Sequence, residues 1–204
     1  MKIQVNKNHY EFKKYVNKER FMSYYYQLKL IYDLNPKSIL EVGIGNSLLK
    51  KQLSDKVNYK TLDIAKDLHP DIFGSVENLP LEDNSFDLVC AFQVLEHLPF
   101  KKFEKCLKEI SRVSKKNVLI SLPYCHIASK FELKVPLIPI IRLSLAVPRF
   151  YEKIEFKGEH YWEIGAKGYP LKKIKTVLSK YFTIKKIINP YENKYHIFFV
   201  LGKK

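Results

Sequence analysis

Three groups of residues in this chain have types and spacings that suit chemistry. Glu41-x-Gly43-x-Gly45 closes an apolar run, "SILEVGIG". Glycines let a backbone approach a ligand with no Cβ in the way, and Glu41 adds a carboxylate beside that ligand. A carboxylate repels a pyrophosphate and attracts a sulfonium or an amino group. The dinucleotide pattern GxGxxG also fails, because its third position is Leu48. The loop asks for a cationic ligand rather than NAD. Asp63 ends the next apolar run, where nucleotide-binding sheets keep an acid for ribose hydroxyls. His97 and His160 supply imidazoles, whose ordinary pKa suits proton transfer near neutrality. His160 also opens a polar and aromatic group with Tyr161, Trp162 and Glu163.

The elements that must position these groups follow from hydrophobic period. Tyr10 to Leu34 reads as one helix with an apolar stripe at Phe21, Tyr24, Leu28, Ile31 and Tyr32, ended by Asn35-Pro36. Then "SILEVGI", "YKTLDI", "PDIFGSV", "FDLVCAFQ" and "NVLISLP" read as strands, with "SLLKKQLSDK" and "PFKKFEKCLKEISRVSKK" as helices between them. Phe103, Leu107, Ile110 and Val113 share one face of the second helix. After an irregular insert come a helix, "LKKIKTVLSKYF", and two strands, "TIKKIINP" and "KYHIFFVLGKK". Alternating strands and helices make a parallel sheet with right-handed crossovers. The last two strands are joined by a short Asn-Pro turn, so one of them must run antiparallel. The expected fold is α/β, Rossmann-like: a seven-stranded, mostly parallel sheet with a C-terminal antiparallel hairpin and helices on both faces.

Composition bounds the rest. The chain has 204 residues, 46% hydrophobic and 28% charged, with no low-complexity linker, and one domain spanning 1–204 is expected. The start lacks a signal-peptide core, and the apolar segment Leu133 to Pro148 carries Lys134, Arg142 and three prolines. A cytoplasmic protein without a transmembrane segment is expected. Cys90, Cys106 and Cys125 form no CxxC pair, so neither a disulfide framework nor a metal site is expected. The net charge of +15 is carried almost wholly by lysines spread along the chain, which suits a solvated surface better than a base-reading one.

The combination of "EVGIGNS", Asp63, "LPLEDNSFDLV" and "VLEH" resembles the class I S-adenosylmethionine-dependent methyltransferases of the small-substrate group. The resemblance implies S-adenosyl-L-methionine as cofactor. It would place Glu41, Gly43 and Gly45 at the methionine end, Asp63 and Ile64 at the ribose, Ser75 and Val76 at the adenine, and Phe92 and Gln93 toward the sulfonium. Ser47 stands for the usual third glycine, a small loss for a residue that suits a helix start. Ser75 stands for the aspartate common at the adenine. Residues 1–36 would form a helical lid and 124–168 a substrate-recognition insert. Tyr124, Tyr161, Trp162 and Glu163 would meet the substrate, and His97 or His160 would act as base. The expected acceptor is a small or medium-sized metabolite. An RNA-modifying enzyme, a lipid-linked acceptor and a cofactor-binding, non-catalytic partner subunit are the alternatives. The sequence leaves oligomeric state open.

Overall fold

Short apolar runs in this chain become strands because each is bounded by turn residues and is too short to bury a helix face. In the computed structural model, which describes residues 7–204, the runs line up as β1 (Ser38–Val42), β2 (Asn58–Asp63), β3 (Ile72–Phe73), β4 (Phe86–Phe92) and β5 (Ser114–Pro123). Two further strands, β6 (His126–Leu133) and β7 (Ile141–Pro148), form a separate pair, and β8 (Phe182–Ile188) and β9 (His196–Lys203) close the main sheet. Its order is β3-β2-β1-β4-β5-β9-β8. β1 to β5 run parallel, and β9 is antiparallel to both β5 and β8, as the short final turn requires. Strand order reverses between β1 and β4, which sets the ligand crevice above their carboxyl ends.

The helices are α1 (Phe12–Tyr15), α2 (Lys18–Leu34), α3 (Leu48–Leu53), α4 (Phe103–Val113) and α5 (Leu171–Tyr181). On one face of the sheet, Leu40, Val42 and Ala91 pack with Leu107 and Ile110 of α4 and Ile174 and Leu178 of α5. On the other, Ile39, Leu88 and Phe198 pack with Leu30 and Ile31 of α2 and Leu49 and Leu53 of α3. This alternation of β1 residues between faces points the side chain of Glu41 toward α2. Phe103, Leu107, Ile110 and Val113 are all fully buried, as their spacing predicts.

Two elements depart from expectation. The first helix is broken: Val16 leaves the helix and Asn17 restarts it, its side chain accepting from Arg20 N at 2.8 Å. Its buried face is also different. Phe21 and Tyr32 are exposed, and the residues turned inward are Ser23, Gln27, Leu30 and Ile31. Polar residues occupy half of that face because the upper part of α2 covers a polar crevice rather than the core. Residues 1–6 of the expected lid lie outside the described residues.

The insert is not irregular. β6 and β7 pair in full register, with Ile127, Phe131 and Leu133 opposite Val147, Leu143 and Ile141. Alternation puts those apolar residues on one face and Lys130, Glu132 and Arg142 on the other. The polar face turns to the body, where Lys130 Nζ donates to the Glu192 carbonyl at 2.9 Å and Tyr191 Oη to the Phe131 carbonyl at 3.2 Å. The apolar face is left exposed. Prolines at 136 and 139 break the apolar run at the tip into a turn, which is why its hydropathy did not read as two strands.

Candidate active site

The β1 to α3 loop is shaped by three residues with positive φ. Gly43 lies at φ +83, and a Cβ there would come within 2.4 Å of Val94 Cγ2. Gly45 lies at φ +51 beneath the ring of Tyr10. The third position keeps the same left-handed shape without glycine. Ser47 has φ 61, and its side chain makes no cap bond; Asn46 Oδ1 instead accepts from Leu48 N at 3.2 Å. Serine is therefore not the comfortable helix start that the sequence suggests, because a non-glycine residue in this region is strained.

Glu41 is 5% exposed. Its one side-chain hydrogen bond among the described residues comes from Tyr59 Oη, at 2.9 Å. Burial pushes its carboxyl up to about 8, against the pull of Tyr59. A carboxylate in that state is short of a cation. It shares a cleft with Gly43, Gly45, Phe92 and Gln93, roofed by Tyr15, Arg20, Tyr24 and Gln27 of the N-terminal helices. Arg20 itself lies 4.0 Å over the Tyr15 ring. Beside this cleft, a second one is lined by Gly43, Asp63, Ile64, Gly74, Val76 and Val94.

Asp63 joins the two clefts. One of its oxygens accepts from Ile44 N at 3.0 Å and the other from Ala65 N at 2.9 Å, so it ties the glycine loop to the end of β2. Ser75 is not among the residues lining the second cleft; its Oγ accepts from Glu77 N at 3.2 Å and shapes the turn that presents Val76. Asp87 has a structural part, accepting from Lys37 N at 3.0 Å.

The roof is fixed from beneath by a chain of buried polar contacts. Asn193 Nδ2 donates to Ser23 Oγ at 2.8 Å, and Ser23 lies 2.7 Å from His196 Nδ1. Because the amide nitrogen can only donate, the serine proton goes to His196, which burial keeps neutral by pushing its pKa down to about 3. In the sequence, only the polar pair Ser23 and Gln27 interrupting a helix face hints at this arrangement.

At the end of β4 the chain turns through Gln93, at φ 55, into a 3₁₀ turn, Leu95–His97. With its amide oriented so that both ends find partners, the Gln93 oxygen would accept from Leu122 N and Ser121 Oγ, each at 3.1 Å, and its nitrogen would donate to Glu96 Oε1 at 3.3 Å. Glu96 is fully buried, and its other oxygen, Oε2, has no hydrogen-bond partner among the described residues. His97 Nδ1 lies 3.1 Å from the Glu159 carbonyl, and its ring meets that of His160 edge to face at 4.9 Å. His160 Nδ1 is 2.8 Å from Glu163 Oε1, which also accepts from Tyr195 Oη at 2.8 Å. The fold thus brings together two histidines that stand 63 residues apart. Their surroundings separate them. Burial and the neighbouring His160 push His97 down to about 4. Burial also opposes a charge on His160, but the Glu163 hydrogen bond and the Glu96 charge outweigh it and raise the pKa.

The segment carrying His160 is held by Ile164, whose N donates to the Pro123 carbonyl at 3.0 Å and whose carbonyl accepts from Cys125 N at 2.8 Å. It therefore lies along the end of β5. Trp162 departs from its expected part. It is fully buried, its Nε1 donates to the Leu98 carbonyl at 3.0 Å, and its ring packs on Phe103, so it belongs to the core and not to a substrate surface. Tyr161 is half-buried, stacked on Phe156 at 3.9 Å, and Tyr124 stacks on His126 at 4.9 Å. Glu96, Tyr195, His196 and Tyr10 join the site without having been picked out in the sequence.

Residues 40–122 match the family model of the methyltransferase domain. The fold is similar to that of the PH0226 protein from Pyrococcus horikoshii OT3, with 15% identity and a TM-score of 0.62, covering 98% of this chain and 100% of that one. It is similar also to an S-adenosylmethionine-dependent methyltransferase from Clostridium acetobutylicum ATCC 824, with 10% identity, a TM-score of 0.61, and 96% and 95% coverage. The N-methyltransferase NodS from Bradyrhizobium japonicum WM9, solved with S-adenosyl-L-homocysteine, shares 9% identity and a TM-score of 0.62 over 98% of this chain and 94% of its own. No curated protein matches the sequence. The domain match over residues 40–122 and the sheet order together give the chain a Rossmann-like α/β methyltransferase fold. No helix of the described residues is long and apolar enough to cross a membrane.

Proposed function

We propose that the two clefts over β1, β2 and β4 hold S-adenosyl-L-methionine, and that the protein moves its methyl group to a small or medium-sized metabolite. The observation that carries this reading is the buried Glu41 carboxyl beside Gly43: it has one neutral hydrogen-bond donor, and burial raises its pKa to about 8. A ligand with an ammonium and a sulfonium supplies the missing charge. Solved neighbours support the same cofactor, since NodS was solved with S-adenosyl-L-homocysteine. In this reading Glu41, Gly43 and Gly45 receive the methionine end, Asp63 and Ile64 the ribose, and Val76 the adenine edge. Ser75 acts on that edge only through its turn.

The cofactor, when bound, supplies a methyl group already activated by positive sulfur. The protein's part is to align an acceptor and to handle any proton it loses. Phe92 and Gln93 end β4 between the first cleft and the His97 and His160 pair, so an acceptor seated over that pair would be in reach of both. His97, held neutral, and His160, held by Glu163, orient the acceptor and accept its proton. Tyr124, Tyr161 and Glu163 would border that space. Tyr10, Tyr15, Arg20 and Tyr24 form the lid, which shields the reaction from water. The test is a screen of cofactor turnover with hydroxyl-, amine- and thiol-bearing metabolites. Turnover with at least one class supports the reading, and binding of the demethylated cofactor with no turnover on any class would favour a non-catalytic partner subunit.

One observation favours a second reading of the acceptor. The β6–β7 hairpin exposes Phe131, Leu137, Leu143 and Leu145, more apolar surface than a solvated loop keeps. An amphiphilic or lipid-linked acceptor would be delivered by such a face. Turnover that rises only when the acceptor is presented in vesicles distinguishes this reading from a water-soluble metabolite.

A further inference from the structure

We propose that the β6–β7 hairpin docks the protein on an anionic lipid bilayer, lying flat with its outward face in the membrane interface. Register and alternation give the hairpin two unlike faces. Seven of the eight residues on the outward face are apolar, Ser129 being the exception, and each of the seven is 42–66% exposed. Single exposed apolar residues are ordinary, but a continuous face of them marks an interaction surface.

The tip points to a fluid partner. Leu137 is fully exposed and sits at φ 66, a left-handed position where a bulky residue is out of place. Val135, Ile138 and Ile140 surround it and are exposed as well. Apolar surface therefore wraps around a protruding turn. A rigid flat partner covers one side of such a turn, whereas lipid covers all of it.

Charge selects an anionic bilayer over a second copy of the chain. Between residues 126 and 157 the basic residues are Lys130, Lys134, Arg142, Arg149, Lys153 and Lys157, against three glutamates. Arg142 is paired with Glu132 at 2.8 Å and Arg149 with Glu152 at 2.9 Å. Lys134, Lys153 and Lys157 are exposed and carry no ion pair among the described residues. Two copies meeting through this face would bring those lysines together, on chains that each carry +15. Anionic headgroups neutralise them instead, and apolar burial with basic attraction is the pair of signals that holds a protein to a membrane surface.

The opposite face sets the orientation. Lys130, Glu132 and Arg142 stand on it, so an upright hairpin would carry an ion pair into hydrocarbon. Lying flat keeps that face toward the body, where Lys130 and Tyr191 already tie it down. Phe150 and Tyr151, exposed just past β7, add aromatic rings of the kind that settle at headgroup level. Because β6 starts three residues after β5 ends, docking holds the carboxyl edge of the sheet, where the clefts open, close to the bilayer. The docking rests on the hairpin and not on the methyltransferase reading, so either can fail alone.

Cosedimentation of the purified 204-residue chain with vesicles tests it. Vesicles of equal parts phosphatidylcholine and phosphatidylserine should bind the protein, and pure phosphatidylcholine about tenfold or more weakly. The double variant Leu137→Asp, Leu143→Asp should weaken binding to the mixed vesicles at least tenfold. Both positions are exposed, and aspartate tolerates a positive φ better than leucine, so its melting temperature should stay within a few degrees. Lys153→Glu with Lys157→Glu, outside the paired strands, should weaken binding about tenfold and keeps the test decisive if the first variant misfolds. Fluorescence of Leu137→Trp should be quenched by lipids brominated in their acyl chains. Binding to neither vesicle, equal binding to both, or binding that neither double variant weakens would overturn the proposal. A wild-type dimer in solution that Leu137→Asp, Leu143→Asp dissociates would assign the face to a second copy and overturn it too.

Discussion

Tyr59 Oη donates to Glu41 Oε2 across 2.9 Å, from β2 to β1, at the buried head of the sheet. This bond only partly offsets the burial that lifts Glu41 to about 8, from an ordinary 4.5. A group raised in the folded state adds stability below its unfolded pKa and loses it as pH rises through the folded one. The free protein should therefore lose stability between pH 4.5 and 8 on account of Glu41. Glu41→Gln, which keeps an acceptor for Tyr59, should flatten that slope and raise the melting temperature of the free protein at pH 8 by several degrees. The same substitution should weaken the demethylated cofactor at least tenfold. In the wild type, affinity should rise with pH between 6 and 7.5, because the bound ammonium needs the ionised carboxylate. Calorimetry across that range, with thermal melts of both proteins, checks all three.

Loop geometry separates two glycine-like positions by sign. Gly43→Ala places a Cβ against Val94 in a left-handed backbone, and should cost about 1–3 kcal/mol together with most cofactor affinity. Ser47→Gly should do the reverse. It relieves the φ of 61 without removing a cap bond, and should stabilise by about 1 kcal/mol. Denaturant titrations of the two variants measure both effects.

Ser23 sits between a donor, Asn193, and an acceptor, His196, in a buried layer beneath α2. Ser23→Ala strands both partners and should cost about 1–3 kcal/mol. Ser23→Thr, which keeps the hydroxyl, should cost less. Hydrogen exchange of α2 should report the difference as earlier opening of the lid helix in the alanine variant.

Trp162 and His160 are two residues apart and should fail in different ways. Trp162→Phe loses the bond to the Leu98 carbonyl and should lower stability by about 1–3 kcal/mol, with KM for the acceptor unchanged. His160→Ala should leave the melting temperature within a few degrees but cut kcat about a hundredfold or more. Steady-state kinetics and thermal melts on the same preparations separate the two.

The sheet was legible because buried parallel strands must be continuous apolar runs, and "FDLVCAFQ" admits little else. The glycine loop was legible because Gly43 has a job that no other residue does. The inward face of α2 was not, since Ser23 is buried against Asn193 and His196, more than 160 residues away. The hairpin was missed because its alternation is masked: both strands mix apolar residues with only a few charges, and prolines interrupt the run between them. Trp162 reads the same as a core ring or a substrate ring until its indole N–H is seen on the Leu98 carbonyl. Glu96 stood inside a recognised motif, yet only the tertiary structure pairs it with His160.

The most direct test of the account is calorimetric titration of the full-length protein with S-adenosyl-L-homocysteine at pH 7.5. One site per chain is expected, with affinity in the micromolar range, falling at least tenfold in Glu41→Gln and largely lost in Gly43→Ala. No heat at millimolar ligand, or equal affinity in all three proteins, would contradict the assignment of the Glu41, Gly43 and Gly45 cleft to the cofactor.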